Sequence, residues 1–457
     1  MEERIKELAE KIVQQLKENK IQEIKENVDN LYPSEFAELT EYLPVEQVVE
    51  LVRLLKDDER VALFLSELNR DLQTGIMSAL GKEKASDILE VMDVDDAADF
   101  LGEMAPHESR ELLELMPKEE AEEIKELLRY EENTAGSIMT SDFVALPEDL
   151  TAEEAIKKIR ELAPEAEMIY YVYIIDKREK LVGVISLRDL IVADPQAKIS
   201  EIMEENVISV LDTEDQETAA KIIADYDFLA LPVVNKKGML VGMITVDDII
   251  DVMENEVTED IHKMVGSSSE VYEDKLIKAN SFIRARSRIS WLLICMIGGV
   301  LAGSVIRFFS NTLQNIVALA FFIPVIIDMG GNVGTQSATI TVRALATGQL
   351  RMDELWQNIW AETRVGLLIG LFTGVILSAV ALIWQNNIVV GVAIGLSMCI
   401  TIIISAAMGT LLPLIFTKVG VDPAVSSGPL ITTIIDIGGL SIYFSVSILL
   451  FKFFGNS

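Results

Sequence analysis

The chain contains few residues that build disulfides or soft metal sites. Its 457 residues include only two cysteines and two histidines. Cys295 and Cys399 both lie in apolar segments, so no disulfide framework is expected and a reducing compartment fits. His107 and His262 lie outside those segments, which excludes an intramembrane zinc protease with an HExxH pair.

Positive charge is also scarce. There are 39 lysines and arginines against 73 acidic residues, a formal net charge of -34. After Trp291 the chain has six acids and six bases, which leaves 67 acids against 33 bases before it. An acidic, water-soluble region therefore precedes a neutral, apolar one. This balance excludes nucleic acid as a partner and leaves cations as the natural small ligands. The charged start "MEERIKELAE" predicts no secretory signal peptide.

Five apolar segments are long enough to cross a hydrocarbon layer of about 30 Å. The predicted spans are 290–310, 315–347, 363–384, 388–416 and 428–452. Basic residues flank one set of their ends: Arg284, Arg286, Arg288, Arg343, Arg351, Arg364 and Lys418. The connections near "SNTLQN" and "WQNN" carry no charge. The positive-inside rule then places the N-terminal region in the cytoplasm and the C-terminus outside.

The predicted spans contain polar residues that are costly in lipid. Asp436, in "ITTIIDIGGL", would cost about 2.5–3.5 kcal/mol at the centre of a bilayer. Asn332 and Gln336, in "GGNVGTQ", are four apart and share a helical face. At 1.5 Å per residue Asn332 lies about 16 Å from Arg343, and Asp436 is similarly deep, so we expect them to meet near the midplane. Hydrogen bonding between helices is the alternative for the two amides. No base lies at the depth of Asp436, which favours a bound cation.

Two internal duplications organise the acidic region. Three twelve-residue units start at Met92, Met104 and Met116 and predict short amphipathic helices stacked as a superhelix, with the methionines in the core. Further along, "SIMTSDFVALPEDLTAEEAI" matches "SEIMEENVISVLDTEDQETAA", and "LVGVISLRDLI" matches "MLVGMITVDDII". These two βαββα units resemble a pair of CBS domains, regulatory modules that often bind adenine nucleotides or metal ions. The resemblance implies nucleotide contacts at Tyr171, Arg188 and Asp189, with Asp189 on a ribose. A dimerising scaffold without a ligand is the alternative.

An acidic helix is predicted at residues 247–266, "DDIIDVMENEVTEDIHKMVG". Its acids recur every three or four residues, so like charges on one side repel by a few tenths of a kcal/mol per pair. Divalent cations would relieve this repulsion, and oxygen-only ligands select Mg²⁺ or Ca²⁺. A solvated charged face is the alternative. The predicted regulatory metal residues are Asp95, Asp96, Asp227, Asp247, Asp248, Asp251, Glu256, Glu259 and Asp260.

The order of these parts, together with "GGNVGTQ" and "VDPAVSSGPLITTIID", resembles the MgtE family of magnesium channels and transporters. The resemblance implies a homodimer whose pore lies on the subunit interface and is lined by the second and fifth spans. It also implies a plug helix that closes the pore when cytosolic Mg²⁺ clamps the acidic domains together. Gly428 stands where the family motif leads us to expect asparagine. The candidate pore and metal residues are Asp436, Asn332, Gln336, Asp422 and Gly331.

We therefore expect a multidomain membrane protein that is not an enzyme. The domains are an all-α N domain (1–132), an α/β CBS pair (133–200 and 201–253), a plug or linker helix (254–283, with the acidic run beginning near 247) and a five-helix membrane domain (284–457). The expected function is Mg²⁺-gated, Mg²⁺-selective uptake through a homodimer in the cytoplasmic (inner) membrane, with Mg²⁺ as cargo and regulator and ATP as a candidate CBS ligand.

Two other functions stay open at this point. A carrier for Co²⁺, Mn²⁺ or Ca²⁺ would use the same pathway. An intramembrane aspartyl protease would pair Asp328 with Asp436, although here the glycines follow the aspartates, whereas in the GxGD motif of that family they precede one.

Overall fold

The computed structural model describes residues 2–55, 57–162, 166, 168–266, 281–350, 354–426 and 428–454. Arg351, used above for the orientation, lies outside them. The chain divides into two compact units, Met1–Met253 and Glu254–Ser457. Each is described by itself.

The first unit begins with short amphipathic helices, each burying one face. Its described part before residue 128 contains α1 (Glu2–Lys17), α2 (Ile21–Val28), α3 (Pro33–Glu41), α4 (Val45–Leu54), α5 (Asp58–Ser66), α6 (Arg70–Leu80), α7 (Lys82–Glu90), α8 (Val94–Gly102), α9 (Pro106–Leu115) and α10 (Lys118–Leu127). Met92 and Met116 are buried in the shared core, and Met104 packs against it. The predicted helical repeat and its methionine core are confirmed.

Two three-stranded sheets follow. The elements are β1 (Phe143–Pro147), α11 (Ala152–Leu162), β2 (Met168–Ile175), β3 (Leu181–Ser186), α12 (Leu187–Val192), α13 (Ile199–Ile202), β4 (Val210–Leu211), α14 (Gln216–Tyr226), β5 (Ala230–Val234), β6 (Leu240–Thr245) and α15 (Val246–Met264). The first two strands of each sheet are parallel, and the last two form an antiparallel hairpin. The second sheet shares one apolar core with helices α1–α10, whereas the first sheet has its own.

The segment leading into each βαββα unit packs on the other unit. Thr140, ahead of the first sheet, exchanges both backbone hydrogen bonds with Met243 of the second, at 2.8 and 3.0 Å. Glu204, ahead of the second sheet, exchanges both with Val184 of the first, at 2.9 and 3.0 Å. Each sheet therefore packs with a short segment from the other sequence range, so the packed domains do not coincide with residues 133–200 and 201–253.

A glycine in each hairpin makes this exchange possible. A methyl group added at Gly183 would collide with the side chain of Met203. The equivalent methyl at Gly242 would lie 2.5 Å from Met139 Sδ and 2.8 Å from the carbonyl oxygen of Thr140. A methionine side chain can rotate away, but a hydrogen-bonded backbone cannot. The same motif thus imposes a stricter steric limit in the second βαββα unit than in the first.

The described part of the second unit, Glu254–Ser457, contains five long apolar helices. We call them the first (Ser281–Phe308), second (Ile323–Ala346), third (Leu355–Gln385), fourth (Ile388–Lys418) and fifth span (Gly428–Phe454). All five are long and apolar enough to cross a membrane, the second with its preceding 3₁₀ turn from Val317. A short helix, Ser310–Asn315, and a 3₁₀ turn, Pro423–Val425, lie between spans. The predicted fold class is confirmed.

Close backbone contact holds the spans together. The third and fourth spans meet where a methyl group on Gly374 would lie 2.6 Å from the carbonyl oxygen of Gly395. Since lipid tails are as apolar as leucine, such close packing by small residues replaces the hydrophobic effect between helices in a membrane.

The two hairpin glycines give a matched stability prediction. Gly242→Ala should weaken the bonds between Thr140 and Met243 by about 1–3 kcal/mol, the usual cost of overpacking. Gly183→Ala should cost less, because only the Met203 side chain has to move. Hydrogen–deuterium exchange of the full-length protein would show faster exchange around residues 139–143 in the first variant. Equal protection in both variants would contradict this account.

Candidate ion pathway and acidic clusters

One outward face of the second span is polar. Asp328, Asn332 and Gln336 recur every four residues, and all three side chains are exposed. Asn332 Nδ2 donates a hydrogen bond to Asp328 Oδ2 at 3.3 Å. Ionisable and amide groups of spanning helices face the bundle interior or a water-filled cavity because lipid cannot solvate them. This face therefore needs water or another chain beside it.

Asp436 lies half-buried in the fifth span, next to the second. Thr432, one turn earlier on the same face, packs on Gly331, where an added methyl group would lie 3.1 Å from Thr432 Cγ2. Gly331 is buried in this contact, so it occupies the position of a packing residue. The small glycine lets the fifth span approach the polar face.

The same contacts set the relative depth of the side chains. Gly331 faces Thr432, and Gly334 faces Ile431, whose Cγ2 would lie 3.0 Å from a methyl group added at the glycine, so the second and fifth spans run antiparallel. Asn332 is then level with Thr432, about one turn, or 6 Å, from Asp436. The expectation that Asn332 and Asp436 share one depth needs this correction: counting from span ends ignored the offset between the two helices.

Asp422 lies before the fifth span and takes part in an ion-pair network. Its Oδ1 accepts a hydrogen bond from the backbone N–H of Ala424 at 2.8 Å, and its Oδ2 accepts one from Lys263 Nζ at 2.6 Å. Lys263 Nζ also lies 2.5 Å from Glu259 Oε1. Burial alone would lower the pKa of Lys263, but its bonds to Asp422 and Glu259 raise it. Sequence reasoning missed this pairing, because Lys263 and Asp422 are 159 residues apart in the chain.

Asp260 belongs to the same group of charges. Burial, and then the neighbouring Asp422 carboxylate, raise the pKa of Asp260 to about 6. Lys263 opposes the shift, and Glu256 and Glu259 add to it. This cluster therefore holds more negative charge than its one lysine neutralises, and added positive charge would stabilise it.

Gly428 begins the fifth span in a tight place. A methyl group there would lie 3.3 Å from Thr335 Cγ2 of the second span. The asparagine expected from the family motif would require Thr335 to shift. The glycine thus fits the local packing of this chain.

A second acidic cluster lies within the first unit, between α8 and α15. Burial, followed by the charges of Asp93 and Asp248, raises the pKa of Asp96 to about 7. Burial also raises the pKa of Asp248 to about 6, although its carboxylate accepts a hydrogen bond from the Thr245 hydroxyl. Burial and Asp247 raise the pKa of Asp93. These carboxylates repel one another across the contact.

The remaining predicted regulatory residues are more dispersed. Asp95 is half-buried at the start of α8, and Asp251 is exposed. Asp227 is exposed at the end of α14 with φ 54°, a left-handed conformation that aspartate tolerates. Glu256 is half-buried. The acids of α15 thus divide between two clusters and do not form one continuous stripe.

The clusters fit an ion that keeps its water. In the described part of the chain, no three His, Cys, Asp or Glu side chains are arranged to hold a metal directly. Mg²⁺ dehydrates reluctantly and is held by one or two carboxylates and several waters. Oxygen donors that lie close enough to repel, without forming a closed cage, match that chemistry.

The predicted nucleotide contacts gather at one end of the first sheet. Tyr171 on β2 is the register partner of Ser186, the residue that caps α12. Arg188 and Asp189 are exposed in the first turn of that helix. Asp189 Oδ2 accepts a hydrogen bond from Ser186 Oγ at 2.6 Å, so a ribose hydroxyl would compete with that serine.

Family models cover most of this architecture. The divalent cation transporter (MgtE) model matches residues 323–446, which include Asp328, Asn332, Asp422 and Asp436. The MgtE intracellular N domain model matches residues 31–133, and the CBS domain model matches 135–195 and 199–255. The chain is 42% identical to the magnesium transporter MgtE of Thermus thermophilus over 325 residues, 71% of each chain. The chain belongs to the MgtE family of magnesium transporters.

Other MgtE proteins agree with this assignment. The magnesium transporter MgtE of Bacillus subtilis is 40% identical over 318 residues, 70% of each chain. A crystal structure of the cytosolic domain of the Mg²⁺ channel MgtE in complex with ATP matches with 38% identity and a TM-score of 0.52, and covers 53% of this chain and 99% of that one. Since MgtE proteins are transporters and not enzymes, the aspartyl protease alternative is dropped.

The raised pKa values predict a pH-dependent contact between α8 and α15. A carboxylate whose folded pKa exceeds its ordinary value contributes stability that is complete below about pH 4 and is lost as pH rises through the folded value. Without divalent cations, hydrogen exchange of α8 in the full-length protein should rise severalfold from pH 5 to pH 8, beyond the intrinsic change. Mg²⁺ should reverse this at pH 8 and do little at pH 5.

Two variants separate the cluster from general charge effects. Asp96→Asn should remove most of the pH dependence, because it removes the group with the highest pKa of the cluster. Asp87→Asn, at an exposed position of α7, should leave it intact. An unchanged pH profile in Asp96→Asn would show that another group is responsible.

Proposed function

We propose that this MgtE protein is a Mg²⁺-selective channel, closed by cytosolic Mg²⁺, that takes up magnesium across the cytoplasmic membrane as a homodimer. One observation carries the proposal: a spanning helix turns a row of amide and carboxylate side chains outward, beside Asp436. A lone chain would expose that row to lipid, whereas two chains related by a two-fold axis enclose it.

The chemistry of the proposed path suits a hydrated ion. Two copies of Asp436 supply negative charge, and Asn332 and Gln336 supply oxygens that accept hydrogen bonds from the water shell of Mg²⁺. Asp422 collects the ion at the cytoplasmic mouth. Carboxylate and amide oxygens favour Mg²⁺ over ions such as Co²⁺ or Ni²⁺, which prefer imidazole or thiolate ligands.

The proposed gate uses the two acidic clusters. At low cytosolic Mg²⁺ the acids of each cluster repel, which favours separation of the elements that carry them. At high Mg²⁺ the ion binds between them and stabilises the closed arrangement, a shift in population caused by a ligand that prefers one state. Asp227 and Asp95 belong to this proposed regulatory set. Because Lys263 already neutralises part of the cluster at Asp422, the acids there stay together without full Mg²⁺ occupancy.

The proposed orientation places both acidic clusters in the cytoplasm. Arg284, Arg286 and Arg288 lie in the first turns of the first span, Arg343 lies in the last turn of the second, and Lys418 ends the fourth. Basic residues are retained on the cytoplasmic side of a membrane. The gate then senses the ion concentration that uptake has to control.

Flux measurements in liposomes test the pathway and the gate together. With Mg²⁺ clamped low on the cytoplasmic face, Asp436→Ala should reduce Mg²⁺ flux at least about tenfold, because the cost of bringing a divalent ion to mid-membrane is no longer offset. Raising Mg²⁺ on that face should close the unmodified protein. The combination of Asp248→Asn, Asp251→Asn and Glu259→Gln should keep flux open at that concentration.

Glu362→Gln is the matched control for the pathway, since Glu362 is a span acid whose carboxylate accepts a hydrogen bond from the buried Ser337. It should conduct normally. Flux that is indifferent to Asp436 would place the path elsewhere. Closure of the triple variant at the unchanged Mg²⁺ level would refute the gate.

We further propose that ATP binds the CBS pair at Tyr171, Arg188 and Asp189, as the ATP complex of the MgtE cytosolic domain suggests. Arg188→Ala should weaken ATP binding to the full-length protein about tenfold, because it removes a charge-assisted contact with phosphate. Arg178→Ala, an equally exposed arginine in the β2–β3 turn, is the control. Equal affinities for ATP in the two variants, measured by calorimetry, would reject the site.

A further inference from the structure

Asp328 is the carboxylate of the outward row, but no contact with the ion has been assigned to it so far. It is exposed at the head of the polar row, and its carboxylate accepts the Asn332 hydrogen bond. Arg343, the base on the same helix, is fifteen residues away, or about 22 Å. A carboxylate in a spanning helix is expensive unless water or a cation accompanies it. Its position therefore requires an explanation.

The contacts between the second and fifth spans fix its level. Gly331 faces Thr432, and Gly330 faces Ile435, whose Cγ2 would lie 3.0 Å from a methyl group added at the glycine. Because the helices are antiparallel, moving three residues back from Gly331 on one corresponds to moving about three residues forward from Thr432 on the other. Asp328 is then level with Asp436 to within about one residue, or 1.5 Å along the axis.

That level lies near the middle of the membrane. Thr401, near the centre of the fourth span, lies beside both helices: its Cγ2 would be 3.0 Å from a methyl group added at Gly330 of the second span and 3.1 Å from one added at Gly439 of the fifth. Asp328 is two residues from Gly330, and Asp436 is three residues from Gly439. Both carboxylates therefore lie within about 5 Å of the level of Thr401 along the helix axes.

The two side chains also belong to adjoining faces. Thr432 and Asp436 are four apart, so they share the face of the fifth span that meets the second. Asp328 and Asn332 share the exposed face of the second span, next to the buried Gly331 of that contact. The acids thus border the same side of the bundle and lie at one depth.

We propose that Asp328 is a second carboxylate of the ion pathway, level with Asp436, so that each chain supplies two acids to the middle of the membrane. The inference rests on the proposed pathway, in which a two-fold axis doubles every group. Four carboxylates then surround one level of the pore. Rings of acidic side chains select cations, and an outer-sphere ring of this charge attracts a divalent ion more strongly than a monovalent one.

The test compares the Mg²⁺ dependence of flux in the unmodified protein and two variants, all reconstituted at equal density. Asp328→Asn keeps the shape of the side chain and removes its charge. It should raise the half-saturating Mg²⁺ concentration by at least roughly tenfold, because the two-fold axis makes one substitution remove two of the four nearby charges. Maximal flux should fall less. Glu362→Gln should match the unmodified protein. The Glu362 carboxylate contacts the opposite, buried side of the second span through Ser337.

Two further variants keep the proposal falsifiable. Asp328→Ser is a second neutral replacement and carries the same expectation if the asparagine variant fails to assemble. Asp328→Glu restores the charge and should return half-saturation to within about threefold of the original. A half-saturation value in both neutral variants equal to that of Glu362→Gln overturns the proposal, as does failure of glutamate to rescue.

Asp436 separates this outcome from failure of the proposed function. If Asp436→Ala abolishes flux while the neutral Asp328 variants behave as unmodified protein, the pathway stands and Asp328 lies outside it. If flux ignores both residues, the pathway itself is refuted. If only Asp436→Ala and the neutral Asp328 variants change Mg²⁺ dependence, both proposals are supported.

Discussion

Negative charge without matching positive charge is the constraint on which the arrangement of this protein depends. In the membrane unit it appears as carboxylates in apolar helices, where lipid offers no solvation. The glycines of the second span bring the fifth span close, and the polar row is left on the outside of the single chain. The faces that a lone chain exposes are the faces that a pore between two chains requires.

The same constraint acts in water on the acidic clusters. Burial, and then neighbouring carboxylates, raise the pKa values of Asp96 on α8 and Asp248 on α15, because both disfavour the charged forms. Near the membrane, Lys263 supplies part of the missing positive charge to Asp422 and Glu259. A conformation in which carboxylates repel one another is favoured when a cation binds between them. In the proposed gate, the free energy of cation binding would therefore also stabilise the closed state.

The parts of the fold that follow from local periodicity could be predicted from the sequence. The five spans, the repeats at Met92, Met104 and Met116, and the βαββα duplication are all visible in the sequence, since each follows from spacing within a short stretch. Relations between distant segments were not visible. Nothing near Lys263 in the chain indicates Asp422, and nothing in "LVGVIS" shows that Gly183 makes room for Met203. The depth of Asn332 was misjudged because counting from span ends assumes helices that start level.

The exchanged lead-in segments of the CBS pair have a consequence for synthesis. Thr140 forms backbone hydrogen bonds with Met243. The start of the first βαββα unit therefore finds its partner only after about a hundred more residues have left the ribosome. Until then the apolar segment around Met139 has not packed against Gly242 and stays exposed. Contacts between residues so far apart in sequence slow folding, because the entropy cost of closing the loop comes before the contacts can stabilise the fold. A nascent chain therefore has to complete the CBS pair as one body, at about the moment when its first membrane helix is being made.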